Sequence, residues 1–171
     1  MRFFAIFLLI ISFSFASFKN LRTFQADFKQ ILVNDQNDTI TYTGKIYADR
    51  NEKALWIYET PVSKKIYYNK NLVVIIEPEL EQAIFSKLKQ VPNILNILQK
   101  AKKIKPNVYV ARCCKKSFWI YLKRGVISKI TYKDKMQNRV TILFFNQKVN
   151  RKIPAKTFKY HIPKGYDLLK D

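Results

Sequence analysis

Long stretches of the chain alternate between apolar and polar residues with a period of two, a pattern typical of β-strands that bury one face. Over residues 24–28, Phe24, Ala26 and Phe28 share one parity and polar residues take the other. A polar turn cluster follows at 34–38, and the alternation returns over 39–48. This part of the chain is therefore predicted to form two antiparallel strands.

The same alternation, together with short apolar runs between turn signals, predicts further strands. They cover residues 55–58, 64–68, 72–77, 82–86, 108–112, 118–123, 126–133, 139–145 and 156–161. Roughly ten short strands that follow one another in the chain form a meander, and a sheet of that size must curl or close on itself.

One amphipathic helix interrupts the strands. It is predicted to start with Pro92 at the first helical position and to continue over 93–104, with Pro106 beyond the end. Its aliphatic face consists of Ile94, Leu95, Ile97, Leu98, Ala101 and Ile104. No second long amphipathic segment follows, so this helix is a candidate lid. The predicted fold class is mainly β (α+β), an incomplete, strongly curved antiparallel β-barrel of roughly ten strands with a helical lid.

The concave wall of such a sheet carries more large apolar side chains than one helix can cover. That surplus predicts an apolar ligand. The candidate cavity residues are Phe28, Leu55, Trp56, Ile94, Ile97 and Leu98. Strand parity leaves open which of Leu55 and Trp56 faces inward, and the alternative for all six is an ordinary hydrophobic core.

The N-terminus has the pattern of a secretory signal. Arg2 precedes an apolar run that is shorter than the ~18–20 residues needed to span a bilayer, and Ser14 and Ala16 form a small-x-small cleavage site. We predict a signal peptide over 1–16 and a single exported domain over 17–171, the alternative being an uncleaved anchor. A chain of 171 residues is long enough for one domain with a substantial core.

The formal net charge is +20, which would attract nucleic acid, anionic lipid or acidic protein surfaces. Because the protein is predicted to be exported, we expect no nucleic-acid partner. The basic residues are spread along the whole chain, so the charge indicates either a lysine-rich solvated surface or docking to an acidic or anionic surface.

Motifs of common catalytic and cofactor sites are absent from the sequence. It contains no Gly-x-Ser-x-Gly, no His-Glu-x-x-His and no phosphate-binding loop, and its single histidine, His161, falls in a predicted strand. Three carboxylates within 77–81 lack the order of a calcium loop and are predicted to be a solvated turn. We therefore expect no enzyme, no catalytic residues, no metal site and no cofactor.

The two cysteines, Cys113 and Cys114, are adjacent. Neighbouring residues of an extended strand point to opposite faces, and a disulfide between neighbours is strained. Redox pairs are normally spaced Cys-x-x-Cys. The prediction is two small strand residues or a strained vicinal bridge, with no part in the function.

Several motifs occur in the order of one known family. An opening Phe-x-Ala-x-Phe-x-Gln strand is followed by a central Gly…Arg…Trp…Pro segment, a Glu-Gln pair before the helix, and a closing Phe…Pro-x-Gly-x-Asp segment. The central residues are Gly44, Arg50, Trp56 and Pro61, the pair is Glu81 and Gln82, and the closing residues are Phe158, Pro163, Gly165 and Asp167. This order resembles that of the LolA-type periplasmic lipoprotein carriers.

The resemblance implies an incomplete β-barrel with a helical lid and no enzymatic activity. Such carriers are expected to take triacylated lipoproteins from an inner-membrane ATP-driven transporter, shield the acyl chains, and release them at the outer membrane or to an outer-membrane acceptor lipoprotein. The resemblance further implies that Arg50 hydrogen-bonds the lid backbone as a latch, the alternative being an ordinary exposed turn arginine. Asn51 departs from the family pattern, since members of the family often have proline at this position. We expect the protein to be a monomer.

Two other functions are compatible with the sequence. The same fold could carry or sense another amphiphile, such as a phospholipid or glycolipid. From a different class, a secreted basic module could bind an anionic polymer through lysine- and tyrosine-rich strands such as 64–68.

Overall fold

The computed structural model describes residues 18–87 and 93–170. The predicted signal peptide (1–16) and Pro92 lie outside the described residues.

Twelve strands within the described residues form a single sheet. Their bounds are β1 (Thr23–Val33), β2 (Thr39–Asp49), β3 (Lys53–Thr60), β4 (Lys64–Asn69), β5 (Leu72–Glu77), β6 (Gln82–Lys87), β7 (Lys102–Lys105), β8 (Val108–Cys113), β9 (Lys116–Lys123), β10 (Val126–Lys133), β11 (Arg139–Val149) and β12 (Asp167–Lys170). The strand order is β12-β6-β5-β4-β3-β2-β1-β11-β10-β9-β8-β7. Neighbours are antiparallel except β12, which runs parallel to β6. The prediction of a mainly β meander is confirmed, and β7 and β12 were not predicted.

Two tyrosines on distant strands show that the sheet is curved. Tyr68 lies on β4 and Tyr132 on β10, five strand positions apart, which would be about 24 Å in a flat sheet. Burial raises the pKa of Tyr132 to about 12, and the nearby phenol of Tyr68 adds to that shift. Both rings pack against the same hydrophobic cluster, which requires the sheet to bend so that the two strands approach each other. We call the face that carries both tyrosines the concave face and the opposite face the convex face.

Helix α1 (Ile94–Gln99) is shorter than the predicted helix over 93–104. It begins after Asn93, whose side chain caps it, and the segment that follows Lys100 joins the sheet as β7. The reason is the free edge of β8, which offers these residues ladder hydrogen bonds that a longer helix would forgo. Ile104 is accordingly 52% exposed and does not belong to the aliphatic face of the helix. Within the described ranges, no helix has the length and apolarity to cross a membrane.

Apolar side chains pack on both faces of the sheet. The concave cluster consists of Leu21, Phe24, Ala26, Phe28, Ile46, Ala48, Ala54, Tyr58, Ile94, Leu95, Ile97, Leu98, Ala111, Phe118, Ile120, Ile127, Ile130, Val140, Ile142 and Phe144, with Trp56 and Tyr132 among the residues packed against it. The convex cluster consists of Leu55, Tyr67, Val74, Ile76, Ala83 and Phe158, with Ile153, Ile162 and Tyr166 among the residues packed against it. Helix α1 therefore covers the concave face, and the C-terminal segment covers the convex face of β3–β6.

The predicted strand at 156–161 is wrong. Residues Ala155–Phe158 form a 3-10 helix, and His161 lies exposed in irregular chain. Pro154 and Pro163 flank this segment and cannot donate to a ladder, and Phe158 is buried in the convex cluster instead. The last strand of the chain is β12, which forms one edge of the sheet. At its start, Asp167 N–H donates to Glu81 O at 2.8 Å.

Candidate functional site

The concave face under helix α1 brings together five of the six predicted cavity residues. Phe28, Ile94, Ile97 and Leu98 belong to the concave cluster, and Trp56 packs against it. The exposed fractions of the first four lie between 0% and 6%, so the helix is seated on the sheet with its aliphatic face buried. In this arrangement the apolar face is closed, and an apolar ligand would have to displace the helix to reach it.

Leu55 is the sixth candidate, and the structure places it on the opposite face. It is 4% exposed and lies in the convex cluster. Because side chains alternate along a strand, Leu55 and Trp56 on β3 cannot share a face. The cavity prediction for Leu55 is therefore corrected, and Trp56 is the inward-facing residue of the two.

Aromatic rings form the floor of the concave face at the level of the middle of β1, β2 and β3. The ring centroid of Phe28 lies 5.0 Å from that of Trp56 and 5.2 Å from that of Tyr58, both in edge-to-face geometry. The rings of Tyr42 and Tyr58 are 5.7 Å apart. Such pairs contribute about 0.5–1.5 kcal/mol beyond the area they bury, so the ring contacts stabilise the packing of the floor.

Gly44 is part of this floor because a side chain does not fit there. A β-carbon at this position would collide with the carbonyl oxygen of Ile57 and would lie 3.1 Å from Cε1 of Phe28. The register between β2 and β3 also shifts between Thr43 and Gly44. The glycine of the central motif therefore allows β2 and β3 to approach closely and allows the Phe28 ring to lie over the β2 backbone.

The polar atoms of the aromatic floor are kept neutral. Tyr58 Oη donates to Oε1 of Gln30 at 3.1 Å, and burial raises the pKa of the Tyr58 phenol. Burial likewise raises the pKa of Tyr68. Cations lie over the rings at the rim, with Lys64 Nζ 4.9 Å from the Tyr58 ring centroid and Lys116 Nζ 5.6 Å from that of Tyr132. The floor thus offers an apolar ligand no buried charge.

One amide side chain holds each end of helix α1, Asn93 to strand β3 and Gln99 to Leu21, which precedes β1. Asn93 Oδ1 accepts from Leu95 N–H at 2.9 Å as the N-cap, and its Nδ2 donates to Lys53 O at 3.4 Å. Gln99 Nε2 donates to Leu21 O at 3.3 Å. Among the described residues, Asn93 is the only buried polar residue, with 2% exposed. The contacts to Lys53 O and Leu21 O are both long, so each contributes at the low end of the ~0.5–1.5 kcal/mol typical of a hydrogen bond.

Sequence reasoning missed both tethers. Pro92 was predicted as the first helical residue, which placed Asn93 inside the helix. An asparagine directly before a periodic apolar run is itself an N-cap signal, and it would have identified Asn93. No comparable signal exists for Gln99, because its partner Leu21 is distant in the sequence.

Arg50 lies in the turn between β2 and β3 and is exposed. Its backbone N–H donates to Arg22 O at 2.9 Å, and the turn is held by Asp49 Oδ1, which accepts from Asn51 N–H at 2.9 Å. Between its guanidinium and any residue of 18–87 or 93–170 there is no hydrogen bond or ion pair. Arg50 is three residues before Lys53, whose carbonyl accepts from the helix cap, so the turn lies next to the N-terminal end of α1.

Chemically, the arrangement is suited to binding an apolar ligand, because a short helix covers a concave apolar face. Across the described part of the chain, no three histidine, cysteine, aspartate or glutamate side chains are close enough to hold a metal ion.

Comparison with known proteins identifies relatives along nearly the whole chain. A family model described as "Outer membrane lipoprotein carrier protein LolA" matches residues 19–124. An outer-membrane lipoprotein carrier protein of Campylobacter jejuni is 40% identical over 98% of this chain and 98% of its own. Proteins of the same name from Helicobacter pylori strain J99 and Helicobacter hepaticus are 36% and 34% identical, over 84% and 91% of this chain and 77% and 87% of their own.

Solved structures share the fold at low sequence identity. An uncharacterised conserved protein from Thermus thermophilus superposes with a TM-score of 0.54 at 12% identity, over 90% of this chain and 93% of its own. A LolA superfamily protein from Nitrosomonas europaea has a TM-score of 0.52 at 12% identity, over 82% and 91%. These matches confirm the predicted open, curved and mainly β architecture.

Proposed function

The chain belongs to the LolA family of outer-membrane lipoprotein carrier proteins, and on that premise we propose that it carries lipoproteins through the periplasm. The carrier holds the acyl chains of its cargo against the concave face, from which helix α1 has moved away. As a carrier it binds and releases its cargo and catalyses no reaction.

The observation that supports this most directly is the cover of the concave face. Helix α1 has six residues and buries Ile94, Leu95, Ile97 and Leu98. Two long side-chain hydrogen bonds hold its ends, one to β3 and one to Leu21 before β1. A helix this short is not stable alone in water, so its position depends on the apolar contacts beneath it. Acyl chains can replace those contacts, because the displaced side chains and the lipid exchange one apolar surface for another.

The energetics require a donor. Three acyl chains contain on the order of 40 methylenes, and at ~0.8 kcal/mol each their transfer from a bilayer to water costs ~30 kcal/mol. Spontaneous escape is therefore too rare to load a carrier. We propose that an inner-membrane ATP-driven transporter supplies the lipoprotein and that the outer membrane, or an acceptor lipoprotein in it, receives the cargo. The exported chain, after removal of residues 1–16, acts as a monomer in the periplasm.

Arg50 is proposed as a latch that holds the lid shut in the empty carrier. Its turn lies beside the N-terminal end of helix α1, and as a latch its guanidinium would hydrogen-bond the lid backbone. A latch makes opening a two-state event that cargo biases. Arg50→Leu should then load lipoprotein but pass it on poorly, whereas delivery at the normal rate would remove this role.

The principal experiment is identification of what co-purifies with the mature chain from the periplasm. Lipid-modified proteins support the carrier. Phospholipid or glycolipid without acylated protein would favour the amphiphile alternative, and strongly salt-dependent binding of an anionic polymer without lipid would favour the polyanion-binding module.

A matched pair of variants tests the site itself. Ile97→Glu places a carboxylate in the concave cluster, and Phe145→Glu changes a residue of β11 that is 48% exposed. Ile97→Glu is expected to reduce captured lipoprotein at least tenfold, by more than its loss of stability explains, and Phe145→Glu to leave capture unchanged. If Ile97→Glu lowers lipoprotein capture only in proportion to its loss of stability, the concave face is an ordinary hydrophobic core and does not bind the cargo.

A further inference from the structure

The two cysteines lie in the hairpin turn between β8 and β9. Cys113 ends β8 and pairs with Lys116 at the start of β9, so Cys114 and Lys115 are the two turn residues. Their φ angles are 55° and 61°, in the left-handed region that matches the twist of a two-residue hairpin. The prediction that both cysteines are strand residues on opposite faces is therefore wrong for Cys114, because the turn rotates its side chain towards that of Cys113.

The turn brings the two thiols into contact. The distance between Cys113 Sγ and Cys114 Sγ is 2.7 Å, and both cysteines are unbridged. A disulfide has an S–S length of about 2.05 Å, so the two sulfurs lie close enough together for a bridge to form between them. The α-carbons of neighbouring residues are ~3.8 Å apart, below the ~4.4–6.8 Å usual for disulfides. A bridge between them is therefore strained and easily reduced again.

The pair is accessible and lies in a basic environment. Both cysteines are half-buried and line an open depression of about 330 Å³ together with Arg112, Lys115, Lys116 and Ser117. Desolvation, and then the hydrogen bond with Cys113, raises the pKa of Cys114 to about 11, while Lys100 and Lys116 act in the opposite direction. Cys114 therefore rests as a protonated thiol, and its reactivity increases with pH.

We propose that Cys113 and Cys114 are a redox-reactive vicinal pair that closes reversibly into a disulfide by exchange with an external disulfide, R–S–S–R. The thiolate of one cysteine attacks a sulfur of R–S–S–R, forms a mixed disulfide and releases R–S⁻. The other cysteine loses its proton, attacks the protein sulfur of that mixed disulfide and releases the second R–S⁻. The two cysteines lose two electrons and two protons, and R–S–S–R is reduced to two R–SH.

The position of the pair connects it with the lid. Cys113 packs against the concave cluster, and the ammonium of Lys100, the C-cap of helix α1, is within electrostatic reach of Cys114. Helix α1 also contacts β8, which ends at Cys113, so closure of the disulfide would alter the packing of this hairpin against the helix. This coupling, unlike the exchange reaction itself, rests on the proposed function of α1 as a lid.

The exchange reaction is tested on the mature chain, reduced, freed of reductant and incubated with glutathione disulfide at pH 8. Intact mass under non-reducing conditions should fall by about 2 Da, the two thiol hydrogens, with no glutathione retained, and dithiothreitol should reverse the change. Cys113→Ser and Cys114→Ser are the matched controls, and each should instead retain one glutathione. Two free thiols, a glutathione on each cysteine, or a disulfide between two chains in the wild type would overturn the proposal.

Amide hydrogen exchange over residues 94–99 tests the coupling to the lid. The reduced and oxidised wild type should differ in exchange rate at least twofold, and Cys114→Ser after the same treatment should not change. Equal rates in an oxidised wild type would overturn the coupling and leave the redox pair intact. Because neither measurement involves lipoprotein, both outcomes are independent of whether the chain carries one.

Discussion

Both faces of the sheet bury apolar residues, but the two faces are covered in different ways. The concave cluster is covered by helix α1, whose six residues are held by one side-chain hydrogen bond at each end, to β3 and to Leu21. The convex cluster is covered by the C-terminal segment, which ends as strand β12 in a parallel ladder with β6. Removing the helix breaks few polar contacts, whereas removing the segment opens the sheet edge. From this difference we propose that the cover of the concave side moves and that the cover of the convex side stays in place.

The largest effect on the free energy of unfolding is expected when a buried side chain on the convex side is shortened. Phe158 is 9% exposed and anchors the C-terminal segment in the convex cluster. Phe158→Ala should lower the free energy of unfolding by about 3–5 kcal/mol, the usual cost of deleting a buried phenyl ring. Urea denaturation measures this loss. Lipoprotein capture per folded molecule should be unchanged, and a selective loss of capture would show that the convex side also serves the cargo.

A substitution at Gly44 should disturb the concave floor through the backbone. A β-carbon at this position meets the Ile57 carbonyl, so Gly44→Ala must push β2 from β3 and is expected to cost about 3 kcal/mol of unfolding free energy. Gly165→Ala, in the convex cover, is the matched control. It has no atom within 4 Å of the added carbon and a φ of 90°, so only the left-handed conformation opposes it, at about 1–2 kcal/mol. If Gly165→Ala costs as much as Gly44→Ala, steric contact at the floor is not the reason for the glycine.

The sequence predicts the features of the fold that depend on local residue patterns and misses those that depend on distant contacts. The strand alternation and turn residues predicted the meander, because local periodicity is set by which face is buried. Leu55 and Trp56 could not be assigned to a face, because apolar residues occupy both faces of β3. The apolar residues on the convex face are explained only by the C-terminal segment that covers them. The end of helix α1 at Gln99 was missed for a similar reason. Lys102–Lys105 pair with β8, and that edge exists only in the folded sheet.

Alkaline pH should loosen the concave side. Burial raises the pKa of the Tyr58 and Tyr68 phenols. It also raises the pKa of Tyr132, to about 12, whereas an unfolded tyrosine titrates near 10. The stability that these phenols contribute is complete below pH 10 and is lost as the pH rises from there through their folded values. For Tyr132 the loss should be about 1 kcal/mol at pH 11 relative to pH 9.

Denaturation at a series of pH values measures this dependence. Tyr132→Phe should flatten the profile above pH 10, because phenylalanine has no proton to lose. Tyr67→Phe on the convex side, where burial also raises the pKa, is the counterpart and should flatten it less. A profile that neither substitution alters would mean that the phenols ionise as easily in the folded as in the unfolded chain.

The smallest effect on stability, and the most specific for the lid, is expected at the two tethers. Asn93→Ala removes the N-cap and the bond to Lys53 O, at about 1 kcal/mol, and Gln99→Ala removes a single long bond to Leu21 O, at about 0.5 kcal/mol. Both should speed amide exchange in helix α1 by several-fold, since the helix has little else to hold its ends. The amides of β12 should exchange at the wild-type rate in both variants. An equal increase in α1 and β12 would mean that the two covers open together, and the contrast between a movable concave cover and a fixed convex one would then be lost.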